Sequence, residues 1–263
     1  MRAKPVPWTR EHLLIAMNLY CKLPFGSFDK SNALIIDVAQ KMGRTASSLA
    51  MKLSNLASLD PVHTARGISG LAGASKKDRA IWEEFHSNLT ELAADSEVLF
   101  QDLFNAGNDT QVEVVSPSSY ELKTLPTSTE TTATIRVRRG QNFFRQSLLA
   151  AYGGRCCVSG LSIRPMLIAS HIKPWAKFPT DRMNLRNGLC LSSIHDAAFD
   201  NGLITFSPNF ELILGKKLKS VGSEPSVVAN FGNYEGAPLR LPEKLAEPDP
   251  EFMNYHREAI YLG

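Results

Sequence analysis

Residues Leu167–Phe206, with the sequence LIASHIKPWAKFPTDRMNLRNGLCLSSIHDAAFDNGLITF, decide the fold of the C-terminal half of the chain. Leu167-Ile168-Ala169 is a short apolar run, and it predicts a buried strand that ends at His171. Pro174 and the cluster Pro179-Thr180-Asp181 break any regular pattern and predict a loop. The first half of this stretch is therefore expected to form a strand followed by a loop.

The second half of the stretch predicts a second strand and a short helix. Asn187-Gly188 is typical of a turn, and Leu189-Cys190-Leu191 is a second apolar run. Ser192 or Ser193 can cap a helix, which the cluster Asp200-Asn201-Gly202 then ends. This helix is expected to hold His195, Ala198 and Phe199, and Leu203–Phe206 to form a further strand. The predicted order is strand, loop, strand, helix.

Three polar residues stand out within this predicted arrangement. His171 opens a His-x-x-Pro run, Asn187 follows sixteen residues on in Asn-Gly-Leu, and His195 lies eight residues further. The order and the two runs resemble the HNH endonuclease family, whose fold is a ββα-metal unit. The lead-in from Gly140-Gln141 through Cys157-x-x-Gly160 is similar to the restriction-type HNH branch. The resemblance covers residues 139–207.

The resemblance implies a role for each of the three residues in phosphodiester hydrolysis. His171 would be the general base, because a His near neutral pKa can take a proton from water. His195 would hold a divalent ion, Mg²⁺ or Mn²⁺, at the scissile phosphate. Asn187 would fix the loop that aims His171 or would reach the ion directly. The expected products carry a 5′ phosphate and a 3′ hydroxyl.

The sequence departs from the family pattern at two positions. Many members have an acidic residue or His before the base, where this chain has Ser170. Many have a metal ligand four residues after the metal-binding His, where this chain has Phe199. Asp200, or alternatively Asp196, is expected to supply the missing carboxylate, since Mg²⁺ needs only one or two.

Composition narrows the class of protein. The chain has 263 residues, of which 43% are hydrophobic, as in a globular protein. No apolar run approaches the roughly 18 residues of a membrane helix, and the N-terminal residues lack a signal peptide core. We therefore expect a cytoplasmic protein with no membrane partner. Four cysteines make neither a disulfide framework nor a tetrahedral set, so no structural zinc is expected.

Charge is divided unevenly along the chain. The net charge is only +3, but residues 83–130 hold ten acidic side chains and one Lys, whereas residues 131–187 hold ten Lys or Arg and one Asp. A basic segment that leads into the site favours nucleic acid as a partner. The expected DNA contacts are Arg138, Arg139, Arg145, Lys173, Arg44 and Lys52.

The N-terminal third predicts a helical domain. Helices are expected at Trp8–Tyr20, with Thr9 as the N-cap, at Ser31–Met42, and from Thr45 to about Leu59. Gly43 and Thr45 are typical of the turn of a helix-turn-helix, in which the third helix faces DNA. Its expected outward residues are Ser47, Ser48, Met51, Lys52 and Asn55. A capping box at Ser75–Asp78 opens a long helix to about Phe104.

These observations predict an α+β protein with two domains. An all-α helical domain, resembling a helix-turn-helix, spans residues 1–106, a linker rich in Ser, Thr and Pro spans 107–134, and the nuclease domain with a C-terminal extension spans 135–263. Beyond the resemblance, helices are expected at Gln141–Tyr152 and Pro248–Leu262, the latter with His256 on its surface.

The predicted function is metal-dependent cleavage of double-stranded DNA in restriction or phage defence. One ββα-metal site cuts one strand, so a homodimer is expected for double-strand cuts. Two alternatives stay open: a DNA-binding regulator with a degenerate nuclease site, and a nuclease that acts on RNA or branched DNA.

Overall fold

A computed structural model describes residues 7–24, 26–61, 63, 73–104, 132–242 and 247–263, with residues 132–139 described by their backbone alone. The chain divides into two compact units, and the division falls between Ser147 and Leu148. Residues 107–131 of the predicted linker lie outside the described residues. Each unit is built from its own core.

The first unit is helical. Its helices are α1 (Arg10–Lys22), α2 (Ala33–Lys41), α3 (Ala46–Ala57), α4 (Lys76–Ser87), α5 (Leu89–Asp102) and most of α6 (Thr132–Ala151). The predicted caps are confirmed: the Thr9 and Thr45 side chains accept from backbone N–H groups, and Ser75 and Asp78 form a capping box. Large apolar side chains fill the core, among them Leu14, Met17, Leu49, Leu53 and Phe85.

The prediction of one long helix after Ser75 is wrong, because the helix is interrupted at Asn88. Asn88 has φ −129° and ψ 47°, which is not helical, and it separates α4 from α5. Its side-chain amide donates to the Glu91 carboxylate at 2.9 Å. Asn side chains compete with the backbone for hydrogen bonds in this way, so Asn has a low helix propensity.

Two residues of α3 that were expected to face outward are buried instead. Lys52 is 7% exposed, and its ammonium donates to the Asp78 carboxylate at 2.6 Å. Asn55 is 9% exposed. The prediction that both face solvent is wrong, because α4 packs against that side of α3. Lys52 is committed to Asp78 and is not offered to a phosphate.

Arg44 lies in the turn between α2 and α3, as predicted, and its partly buried side chain packs on Trp8. Its guanidinium lies 3.9 Å from the Trp8 ring centroid and donates to the Pro7 carbonyl at 2.8 Å. Gly43 before it has φ +66°, a conformation that suits glycine. The helix-turn-helix character of α2 and α3 stays a prediction.

Helix α6 begins nine residues earlier than the Gln141 start that the sequence predicts. Gly140 lies inside this helix and is buried. A glycine inside a helix costs about 1 kcal/mol relative to Ala, which close packing can offset. Within the first unit, Phe143 contacts Phe85 and the Asn142 amide donates to the Glu97 carboxylate at 3.1 Å.

The second unit contains two small antiparallel sheets and short helices. Strand β1 (Leu167–His171) pairs with β2 (Gly188–Ser192), with His171 opposite Gly188, and α7 (Ser193–Asp200) follows β2 directly. Strand β3 (Ile204–Phe206) pairs with β4 (Leu212–Leu214). Helices α8 (Lys216–Ser220), α9 (Pro225–Asn230) and α10 (Pro250–Ala259) complete the described part. The mixed helix and sheet content agrees with the predicted α+β class.

The prediction of His256 as a surface residue of the C-terminal helix is wrong. His256 is 1% exposed, and its ring stacks on Phe199 with 3.6 Å between ring centroids. The amphipathic pattern of α10 identifies a buried face, but it does not exclude a His from that face when both ring nitrogens find partners.

Candidate active site

His171 ends β1 and is held by a backbone carbonyl. The β1–β2 pairing places it at the end of the hairpin, where the chain enters the loop 172–186. Its Nε2 lies 2.9 Å from the Arg182 carbonyl oxygen, so Nε2–H donates and Nδ1 carries the lone pair. Burial lowers the pKa of His171, and the bond to Arg182 opposes this shift. The imidazole is therefore neutral at pH 7 and able to accept a proton.

Asn187 ties the two ends of this loop together. Its side-chain oxygen accepts from the Lys173 backbone N–H at 2.8 Å, and its amide donates to the Lys173 and Asp181 carbonyls at 3.3 and 3.2 Å. The residue is 1% exposed. All of these partners belong to the protein backbone, which is the geometry of the loop-fixing role rather than of a metal ligand.

Aromatic and cationic side chains line the same loop. Trp175 contacts the His171 ring edge-on at 5.2 Å between centroids, and the Arg182 guanidinium lies 5.1 Å from the Trp175 ring. Lys173 pairs with Asp181 at 3.3 Å, and its ammonium lies 4.2 Å from the Phe252 ring. The predicted DNA contact Lys173 is thus engaged within its own unit.

His195 lies in the first turn of α7, but it faces the protein interior. Its Nδ1 lies 2.6 Å from the Ser192 hydroxyl, and its Nε2 lies 2.7 Å from the Asn230 carbonyl oxygen. The side chain is 1% exposed. Both ring nitrogens bind protein atoms, so this arrangement does not favour the predicted metal-binding role of His195. Ser192 caps α7 by its backbone alone, because its hydroxyl is used by His195.

A buried thiol completes the surroundings of His195. The Cys156 sulfur lies 3.8 Å from His195 Nδ1. Burial raises the pKa of this thiol, whereas hydrogen bonds from Ser159 and the Ser192 backbone lower it. His195 therefore joins the 156–160 segment, β2 and α9 in one polar cluster inside the unit.

Two carboxylates, those of Asp196 and Asp200, lie one helical turn apart on α7. Burial raises the pKa of Asp196. Burial also raises the pKa of Asp200, to about 6, and the negative charge of Asp196 adds to the shift. Helix α7 packs against β1, the strand that ends at His171.

A divalent ion of the kind that HNH enzymes use fits this carboxylate pair. Asp196 and Asp200 offer hard oxygen ligands, and a bound cation would relieve the repulsion that raises the Asp200 pKa. Within the described part of the chain, no group of three or more His, Cys, Asp and Glu side chains is arranged to hold a metal. A site on α7 would therefore be sparse and completed by water.

The remaining predicted contacts have separate outcomes. The side chains of Arg138 and Arg139 lie outside the described residues, and Arg145 is half-buried on α6. The four cysteines are free thiols.

Among the described residues, no helix is both long and apolar enough to cross a membrane.

The sequence predicts His171, Asn187, His195 and the two carboxylates as candidate site residues, but it does not predict the groups that bind the two histidines. The carbonyls of Arg182 and Asn230 bind the two histidines, and every residue carries a carbonyl, so no sequence signal marks them. Trp175 follows the His-x-x-Pro run directly, and Phe178 lies three residues further on. Two aromatic residues within a predicted loop are a signal from which their contacts near His171 could have been predicted.

Comparison with known families agrees with this geometry. The family model for HNH endonuclease matches residues 156–207, which hold β1, β2, α7 and β3 together with His171, Asn187 and His195. No curated protein matches the chain. The match confirms the resemblance to the HNH family over this segment and supports nuclease activity, whereas the restriction-type branch stays a prediction. The second unit thus contains a segment that is similar to HNH endonucleases.

Proposed function

We propose that the protein is a metal-dependent HNH endonuclease that hydrolyses phosphodiester bonds in double-stranded DNA. The observation that carries the proposal is the state of His171 within the segment that matches the family. Its Nε2–H donates to the Arg182 carbonyl, burial keeps the ring neutral, and the ring stands at the end of β1.

His171 would act as the general base. The bond from Nε2 to the Arg182 carbonyl fixes the tautomer, so Nδ1 accepts a proton from the attacking water. Asn187 holds the loop from Lys173 to Asp181, which keeps that carbonyl at its distance from the ring. The neutral state of His171 at pH 7 matches what a base requires.

Asp196 and Asp200 would hold the divalent ion, Mg²⁺ or Mn²⁺. When bound, the ion neutralises charge on the scissile phosphate and stabilises the leaving 3′ oxygen. His195 is assigned a supporting role, because its bonds to Ser192 and Asn230 hold the start of α7. The products would carry a 5′ phosphate and a 3′ hydroxyl.

The biological setting is proposed from the family. Restriction or phage defence in the cytoplasm is the natural role, with the helical unit helping to select DNA and two chains making a double-strand cut. Segregated charge supports a polyanionic partner, since ten Lys or Arg fall between residues 131 and 187.

The proposal is tested by a panel of substrates with and without metal. Duplex DNA, single-stranded DNA, branched DNA and RNA are each incubated with Mg²⁺, Mn²⁺ or EDTA. Cleavage of duplex DNA that needs metal and leaves 5′ phosphates is the expected result. Cleavage of RNA or junctions alone would replace the substrate in the proposal, and cleavage in EDTA would remove the metal from it.

A regulator that binds DNA without cutting it is the second candidate. The observation that favours it is His195, whose two ring nitrogens are both taken by protein atoms, together with Ser170 in place of an acidic ligand. Retarded migration of duplex DNA on a gel, with no cleavage under any divalent ion, would support this candidate over the enzyme.

A further inference from the structure

Helix α10 contacts both halves of the candidate site, although it lies outside the segment that matches the family. The match ends at residue 207, and α10 spans Pro250–Ala259. One set of its residues packs on the loop that holds the base. A second set packs on the end of α7, where Asp200 lies.

The first set fixes the loop 172–186. Tyr255 contacts Phe178 edge-on with 5.0 Å between ring centroids, and Phe252 lies 4.2 Å from the Lys173 ammonium. The Asp249 backbone N–H donates to the Arg186 carbonyl at 3.0 Å, and its carboxylate pairs with the Arg186 guanidinium at 3.2 Å. These contacts lie on both sides of the Arg182 carbonyl that orients His171.

The second set fixes the end of α7. His256 Nε2 lies 3.0 Å from the Phe199 carbonyl oxygen, and His256 Nδ1 lies 2.9 Å from the Thr205 hydroxyl. The imidazole therefore donates to Phe199 and accepts from Thr205. Its ring lies parallel to the Phe199 ring, with an interplanar angle of 3°. Phe199 is the residue before Asp200, so His256 holds the backbone from which that carboxylate projects.

The chain after α10 closes over the same turn. The Leu262 backbone N–H donates to the Gly202 carbonyl at 2.9 Å. Gly202 has φ +67°, and a Cβ built there would collide with the Ile260 carbonyl. The approach of the C-terminal segment thus requires glycine at the end of α7.

We infer that α10 is a positioning element of the nuclease, in which Tyr255 orients the base loop and His256 orients the carboxylate helix. The inference rests on the proposed function. Both residues act through others: Tyr255 through Phe178 and the Arg182 carbonyl, and His256 through the Phe199 carbonyl. Outer contacts of this kind are worth about 10- to 100-fold in activity at metal sites.

The first experiment measures whether the loop 172–186 still orients His171, and it does not depend on cleavage activity. The tautomer of His171 is followed in the full chain by ¹H–¹⁵N spectra of the imidazole nitrogens, with the His171→Ala spectrum as the assignment. Tyr255→Ala is expected to move the His171 signals away from a single Nε2–H tautomer. The exposed Glu258→Ala on the same helix is the matched control and should leave them in place. Signals that are identical in Tyr255→Ala and wild type would overturn the inference.

The second experiment reads cleavage kinetics. His256→Leu is expected to lower kcat on duplex DNA by about tenfold with KM nearly unchanged. His256→Gln keeps an N–H donor for the Phe199 carbonyl and should recover part of that loss. Equal kcat for His256→Leu and wild type would overturn the role of His256, as would equal losses in the Leu and Gln variants.

The two experiments separate the inference from the function on which it rests. If wild type cuts no substrate, the proposed function fails, while the spectra of Tyr255→Ala still decide whether α10 orients His171. If His256→Leu does not fold, Tyr255→Ala, which replaces a half-buried side chain, supplies the kinetic test.

Discussion

At the scale of single residues, Asp200 predicts how the cleavage rate depends on pH. Its pKa is raised to about 6, so the carboxylate that we propose as a metal ligand becomes protonated as pH falls through that value. Burial lowers the pKa of His171, which favours the neutral form of the proposed base. Cleavage is therefore expected to fall below pH 6, and higher Mg²⁺ should move this fall to lower pH, because the cation competes with the proton.

Rates of plasmid nicking from pH 5 to 8 at several Mg²⁺ concentrations check this prediction. If the midpoint of the rate profile does not move with Mg²⁺, the loss of cleavage at low pH comes from a group that holds no metal.

The thermal stability of Asp200→Asn gives an independent check of the raised pKa. A raised carboxylate pKa lowers stability as pH rises from about 4 to 6, so the variant should be more stable than wild type at pH 7.

His195 carries a second prediction at this scale. Removal of its ring leaves the Ser192 hydroxyl and the Asn230 carbonyl without a partner inside the protein, and it opens a cavity. His195→Ala is expected to lower the free energy of unfolding by about 3 kcal/mol in EDTA, where no metal can contribute. Urea unfolding measures it, with the exposed His86→Ala as control. Unchanged stability, combined with weaker Mn²⁺ binding, would return His195 to the role of metal ligand.

At the scale of elements, the buried pair Lys52–Asp78 joins α3 to α4. Asp78 is fully buried and also closes the capping box of α4, so the loss of Lys52 leaves a buried negative charge. Lys52→Met is expected to destabilise the first unit by about 3–5 kcal/mol. Chemical denaturation measures the effect, and the exposed Lys76→Met is the matched control. A variant as stable as wild type would show that the pair contributes nothing, and it would reopen Lys52 as a surface contact.

The elements also show how far sequence reasoning reaches. Local signals predict the caps of α1, α3 and α4 and the β1–β2–α7 order, because caps, turns and apolar runs act within a few residues. The break at Asn88 and the burial of Lys52 depend on packing against other helices. The carbonyls that bind His195 and His256 are 35 and 57 residues away along the chain, and long-range contacts of this kind leave no local pattern.

At the scale of the whole molecule, one site per chain determines the pattern of cuts. A single ββα-metal site cuts one strand, so nicked plasmid should appear before linear plasmid, and linear product should increase with protein concentration as two chains assemble. Gel time courses at several concentrations, beside light scattering for oligomeric state, check this expectation. Linear plasmid at the earliest times, under conditions where the protein is monomeric, would contradict it.

The central claim is that His171 is the general base of a metal-dependent nuclease. The most direct measurement is single-turnover nicking of supercoiled plasmid in Mg²⁺ by wild type, His171→Ala and the control His86→Ala, each purified identically. We predict that His171→Ala loses about 10²- to 10⁴-fold in rate while it stays folded, and that His86→Ala cuts like wild type. Equal nicking by all three proteins would contradict the claim, because the activity would then come from another residue or from a contaminating nuclease.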